Sequence, residues 1–191
     1  MPTYIYNKTK IMSKVSKYVS LSEVTHSNTA KSKGLDNTPT EEQLELIKSA
    51  AENVFDKLRE ASKGPVKINS VFRGPELNKA IGGSKTSQHC VGLDPDSRSY
   101  GAAFDVDDYY WTRGLNEMNN TEMGDYIREN LDFDQLIYEF PINGYPKWIH
   151  FSYRPDGKNR KQVLIATKRS GKTKYLPYDG NEDLIKNPDL N

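Results

Sequence analysis

The amino-acid sequence predicts an α+β fold in one domain, a mostly antiparallel sheet flanked by helices. Three observations predict it. One long stretch carries apolar residues at helical spacing, and several short runs rich in β-branched and aromatic residues follow it between Gly, Pro and Asn breaks. With 191 residues the chain is also long enough to bury one core.

Taken in order, residues 1–37 are polar and rich in Ser, Thr, Lys and Asn, and read as a short lead-in strand or turn plus loops. Thr38-Pro39-Thr40-Glu41 then opens a helix: Thr38 can cap it, Pro39 suits its first position and Glu41 can reach back to the cap. Leu44, Ile47, Ala51, Val54 and Leu58 recur at helical spacing, so one long amphipathic helix is expected to about Ala61, where Gly64-Pro65 follows. Val66 to Phe72 reads as a strand, Pro75 to Ile81 as a short helix stopped by Gly82-Gly83, and Ala102 to Val106 as a strand. Thr121 to Asn130 reads as a second helix, and Gln135 to Phe140, Lys147 to Tyr153 and Gln162 to Thr167 as three further strands. The expected divisions are a polar lead-in over 1–17, a folded domain over 18–167 and an extended polar tail over 168–191.

Composition narrows the function classes. A net charge of +1, from 27 basic and 26 acidic side chains, gives no sequence-wide electrostatic case for a nucleic-acid partner. Cys90 stands alone, so the fold does not depend on a disulfide. The apolar runs are too short for a transmembrane helix. Lys8, Lys10, Lys14 and Lys17 precede no apolar stretch, so a secretory signal peptide is not expected.

The chemistry concentrates around two of the three histidines. His89 lies in Ser87-Gln88-His89 after a Gly-Gly turn, and His150 lies in Trp148-Ile149-His150-Phe151-Ser152. Between them, Gly101-Ala102-Ala103-Phe104-Asp105 puts a carboxylate at the end of a small apolar strand. Two imidazoles and a carboxylate form a catalytic zinc set with a fourth position left for water. His26 has no such company and reads as structural, while Asp107 and Asp108 read as solvated turn residues or substitute ligands. Cys90 reads as a packed thiol turned away from the metal.

These motifs resemble those of the zinc D-alanyl-D-alanine carboxypeptidase-like peptidases, which share a fold with the hedgehog signalling domain. The family pattern Ser-x-His-x-x-Gly-x-Ala-x-Asp is met by Ser87-x-His89 and by Gly101-x-Ala103-x-Asp105, and its Trp-x-His by Trp148-Ile149-His150. Asn69 to Asn78, with Arg73 and Pro75, is similar to the family's strand, arginine and helix start; an earlier Ser-x-x-Glu and Asp36-Asn37-x-Pro39 also correspond. The likeness spans roughly residues 18 to 153 and implies a Zn²⁺ ion held by His89, Asp105 and His150.

Two departures stand out. His89 and Asp105 are sixteen positions apart where the family has seven, and Gly92 to Tyr100 accounts for the nine extra residues as a surface loop. This loop can act as a substrate flap, or bring Asp94 or Asp96 into play. Lys147 stands three residues before His150, where the family commonly has its glutamate base. Glu139 is taken as the base instead, since its strand should pair with that of His150 across 141–146 and bring it to the site. Arg73 is the expected anchoring or electrophilic cation, and Ser87 and Gln88 are expected to bond the substrate backbone.

The resemblance implies hydrolysis of a peptide bond in peptidoglycan stem peptides, by removal of a terminal D-Ala or by an endopeptidase cut. Relatives of this kind occur in bacteriophages and bacteria; with no signal peptide expected, a phage lysis protein or a virion-carried peptidase acting on the cell wall is expected over a resident periplasmic enzyme, with virion proteins as further partners. The alternative from another class is a non-catalytic zinc-binding module that recognises cell wall or fills a virion position. A third reading is a metal-free scaffold in which the long loop displaces Asp105.

Overall fold

The computed structural model describes residues 14–181 together with 185 and 186, and confirms the α+β class. The part of the expected lead-in before residue 14 lies outside the described residues. From Val15 onward the chain is already docked. Val15 is buried, and the carboxylate of Asp56 accepts from the Ser16 hydroxyl at 2.8 Å and from the backbone N–H groups of Lys17 and Tyr18. The expected boundary at residue 17 therefore shifts towards the N-terminus.

The next segment, read from sequence as a strand or turn with loops, contains two short helices. In α1 (Leu21–Thr25) Ser20 and Glu23 form a reciprocal capping box, and in α2 (Asn28–Lys33) Ser27 caps one end while Gly34 closes the other in a left-handed conformation. Helices this short show too little periodicity to be read in advance, and only their caps mark them.

The long helix begins at α3 (Glu41–Ala50), with Thr40 and Gln43 as its capping box. The expected cap, Thr38, is drawn into a turn in which its N–H donates to the Asp36 side chain at 3.0 Å. The helix continues through a π-helical turn (Ala51–Phe55) into α4 (Asp56–Ala61). Ile47, Ala50, Ala51, Val54, Phe55 and Leu58 are all buried, so the apolar stripe runs unbroken across the wider turn.

The sheet has six strands: β1 (Lys67–Ser70), β2 (Ala102–Asp107), β3 (Gln135–Glu139), β4 (Trp148–Tyr153), β5 (Gln162–Arg169) and β6 (Lys172–Pro177). Their order is β1-β2-β4-β3-β5-β6, antiparallel throughout except for the β3–β5 pair. Helices α5 (Pro75–Ala80) and α6 (Asn120–Asn130) complete the structure. Residues 168–177, expected in an extended tail, instead turn at Ser170–Gly171, both with positive φ, and return as β6. Beyond them, Tyr178 packs its ring 4.9 Å from that of Tyr138.

Strand alternation divides the sheet into a helix-covered face and a functional face. On the first, Phe55 of the helix stacks on Phe104, which stacks on Phe151, with centroids 5.5 and 5.4 Å apart. Val106, Ile149, Leu136, Tyr138 and Ile165 extend the same core. The intervening residues, Asp105, His150 and Glu139, point to the other face. Burying phenylalanines below is therefore what presents ionisable groups above.

Candidate metal centre

The pairing register sets the first two groups. Asp105 of β2 stands directly opposite His150 of β4. His89 reaches them from a 3₁₀ turn (Gln88–Cys90) whose start is capped by the Ser87 hydroxyl oxygen, accepting from the His89 N–H at 3.3 Å. The turn is tied to the end of β1 by the Arg73 N–H, which donates to the His89 carbonyl at 2.9 Å. The His89 Nδ1–H donates to the Val71 carbonyl at 2.7 Å, so its Nε2 carries the lone pair that faces the site.

His89 Nε2 lies 3.2 Å from His150 Nδ1 and 3.2 Å from Asp105 Oδ1, and the last two are 2.9 Å apart. A tetrahedral zinc with ligands at about 2.0–2.1 Å would need edges of about 3.3 Å. The three atoms thus form nearly one face of such a tetrahedron, and they are the group among the described residues with the donors to hold a metal. Their protonation suits the task. Burial lowers the pKa of His89, and Asp105 is held well below the usual carboxylate range because its bonds and proximity to the two imidazoles outweigh the opposing effect of burial.

Arg73 occupies the β1 side. Its Nη2 donates to Asp105 Oδ2 and its Nε to the Ser70 hydroxyl at 2.9 Å, so Oδ1 of the same carboxylate is left for the metal set. Nη1 makes no hydrogen bond within the described residues, leaving two donors for a ligand. A cavity of about 250 Å³ opens beside it, with Asn69, Ser70, Phe72 and Leu77 among its walls. Ser70 is part of this arrangement without any sequence signal that would have singled it out.

On the other side, β3 pairs with β4 so that Glu139 faces Trp148, two pairs along from Ile137 opposite His150 and therefore on the same face. The expected neighbourhood of Glu139 and the histidine strand is therefore present. The Glu139 carboxyl is pushed up from an ordinary 4.5 to about 7, first by burial and then by the nearby Asp105 charge, against the pull of His150 and Arg73. A carboxylate with that value can take and return a proton near neutral pH.

Gln88 and the loop take structural parts. The Gln88 amide donates to the Tyr100 carbonyl at 3.0 Å and to buried Asp134 at 2.9 Å. Both its amide hydrogens are committed inward, where they hold the base of the loop. Asp134 in turn accepts from Arg160 Nε at 2.8 Å. The extra residues 92–100 leave and rejoin the domain at one neck, where the Gly92 N–H donates to Ser99 at 2.8 Å and Gly92 bridges Tyr100. Asp94 accepts from the Asp96 N–H in a local turn, and neither joins the metal set. Asp107 pairs with Lys67, and Asp108 accepts from the Asn120 N–H. His26 is exposed outside the metal group, and burial pushes the half-buried Cys90 thiol up, which disfavours a reactive thiolate.

A sheet that presents two imidazoles and a carboxylate around one point, with a raised carboxyl and an arginine on either side, has the parts of a metal-dependent hydrolase. The chain belongs to the peptidase M15 family, whose family model matches residues 17–152. It is thus a hydrolase of a family of zinc peptidases that act on peptidoglycan. No match among curated proteins was found. No helix among the described residues is long and apolar enough to cross a membrane.

Proposed function

We propose that the protein hydrolyses a peptide bond in peptidoglycan stem peptides, as a D-Ala-D-Ala carboxypeptidase or an endolysin-type endopeptidase, with zinc on His89, Asp105 and His150. The observation that carries this reading is Glu139, a buried carboxyl raised to about 7 beside the three convergent donor atoms. Zinc would supply Lewis acidity and a water acidified to near neutrality.

Glu139 accepts the proton of the attacking water and returns it to the departing amine, for which a value near neutrality serves both directions. Arg73 offers the free face of its guanidinium to the substrate carboxylate or to the charge developing on the scissile carbonyl oxygen. Its bond to Asp105 Oδ2 holds the guanidinium beside the carboxylate of the proposed metal set, which supports this reading. The Ser87 hydroxyl, besides capping its turn, can donate to the peptide backbone.

The test is digestion of purified peptidoglycan by the wild type, His150→Ala and Glu139→Ala, with zinc content measured in each. Loss of zinc in His150→Ala, and loss of cleavage with zinc kept in Glu139→Ala, is the expected pattern. Full cleavage by Glu139→Ala would remove it as the base. A wild type that binds zinc and cuts nothing would favour the binding-module alternative. Mass spectra of the products separate release of free D-Ala from cleavage within the stem peptide.

A further inference from the structure

We infer that the β5–β6 hairpin walls the cleft on the Glu139 side, and that the Tyr175 hydroxyl contacts the peptide substrate there. This rests on the peptidase reading above, but on residues outside the matched segment 17–152. In the sheet register Tyr175 stands opposite Ala166, and Ala166 stands opposite Glu139. Residues paired across strands share a face, so Tyr175 lies in one row with Glu139, on the face that carries Asp105 and His150.

The residue between them decides how close the ring can come. Ala166 projects only a methyl group, so its own side chain puts no bulk between the phenol and Glu139. The electrostatics of the phenol agree with that row: burial raises its pKa first, followed by the charges of Glu139 and Asp105. Tyr175 nevertheless keeps 54% of its surface exposed, unusual for a large side chain turned towards an ionisable site.

The surroundings suit a peptide. Ile137, Leu164 and Ala166 form a separate apolar cluster on this face, with Phe140 packed against it. Phe140 and Trp148 meet with centroids 5.4 Å apart, and Lys168 Nζ lies 5.8 Å from the Phe140 centroid. Small apolar side chains would rest against the part-exposed rings of Phe140 and Trp148, while the backbone above them offers hydrogen-bonding groups to Tyr175. With Arg73 on the β1 side, the cleft then grips its substrate from both flanks of the metal set.

The test compares zinc-loaded wild type, Tyr175→Phe and Tyr175→Ala on sacculi and on soluble muropeptides released by a muramidase. Tyr175→Phe should lower kcat/KM roughly fivefold to tenfold, the worth of one hydrogen bond, mainly through KM. Tyr175→Ala should lower it further, and both should keep the wild-type zinc content and Tm. Unchanged kcat/KM in both variants, with an active wild type, would overturn the contact. If the wild type itself cuts nothing, the peptidase reading falls, and nitration with tetranitromethane mapped by mass spectrometry still decides Tyr175. Slower nitration of Tyr175 with muropeptide present supports the contact; an unaltered rate refutes it.

Discussion

The imidazole of His89 gives its Nδ1 proton to the carbonyl oxygen of Val71 at 2.7 Å, so a backbone group at the end of β1 selects the tautomer of a proposed metal ligand. The site is therefore set to receive a cation before one arrives. Zinc should raise the Tm of metal-free protein, with about 2.7 kcal/mol of stabilisation expected at a free concentration one hundred times Kd. His89→Ala should abolish the effect. A scanning-fluorimetry series showing equal zinc stabilisation in both proteins would dismiss His89 as a ligand.

Glu139 gives a stability prediction with a definite sign. Its folded value, about 7, lies above the ordinary 4.5, so the folded state binds the extra proton between those limits and stability falls as pH rises through them. In metal-free protein, Glu139→Gln should be more stable than wild type at pH 8, by up to about 3 kcal/mol, and the gap should close below about pH 4.5. Urea melts across that range measure it. A gap that widened on acidification would contradict the assignment.

The extra loop should be dispensable for metal binding. Its ends meet at the Gly92–Tyr100 bridge, and the chain runs in the same direction at both, so a single glycine in place of residues 92–100 can span from Val91 to Gly101. Removal would cost the bonds from Arg154 to the Pro95 and Ser97 carbonyls and from Gln88 to Tyr100. At about 1 kcal/mol each these are partly offset by the smaller closure entropy of a shorter loop. A protein shortened in this way should fold and keep its zinc stoichiometry; loss of zinc from a folded variant would show that the loop shapes the centre.

Gly124 tests the packing beneath the site. It sits in the middle of α6, where alanine normally stabilises a helix by about 1 kcal/mol. A Cβ there would stand 2.6 Å from the Tyr138 ring, and Tyr138 is held in place by its hydrogen bond to Asp125 at 2.8 Å. Gly124→Ala should thus destabilise by roughly 1–3 kcal/mol, the usual range for overpacking. A gain in Tm would mean that the ring yields more easily than its contacts suggest.

What the sequence revealed follows periodicity and chemistry. The strands of Asp105, Glu139 and His150 were legible because two-residue alternation over β-branched and aromatic positions fixes both the element and the face. Arg73, His89 and His150 were legible through their motifs. The π-helical turn was not, since a single extra residue per turn leaves the apolar spacing of Leu44, Ile47 and Ala51 unchanged. The role of Gln88 depends on Asp134, 46 residues away, and no local pattern announces such a bond. β6 was missed because its side chains are almost all exposed, so polarity resembling that of a tail concealed a strand stabilised by its pairing with β5.

That outermost strand has a bearing on how copies of the molecule behave together. One side of β6 is paired with β5, and among the described residues the other ends the sheet, presenting a row of backbone groups that a second chain could extend. Lys172 and Lys174 place positive charge along this rim, and Pro177 at its end has no N–H to offer. Two strands brought edge to edge would have to bury like charges against each other. The same short hairpin therefore carries charge that disfavours edge-to-edge growth of the sheet, and neutralising both lysines should promote self-association at high protein concentration.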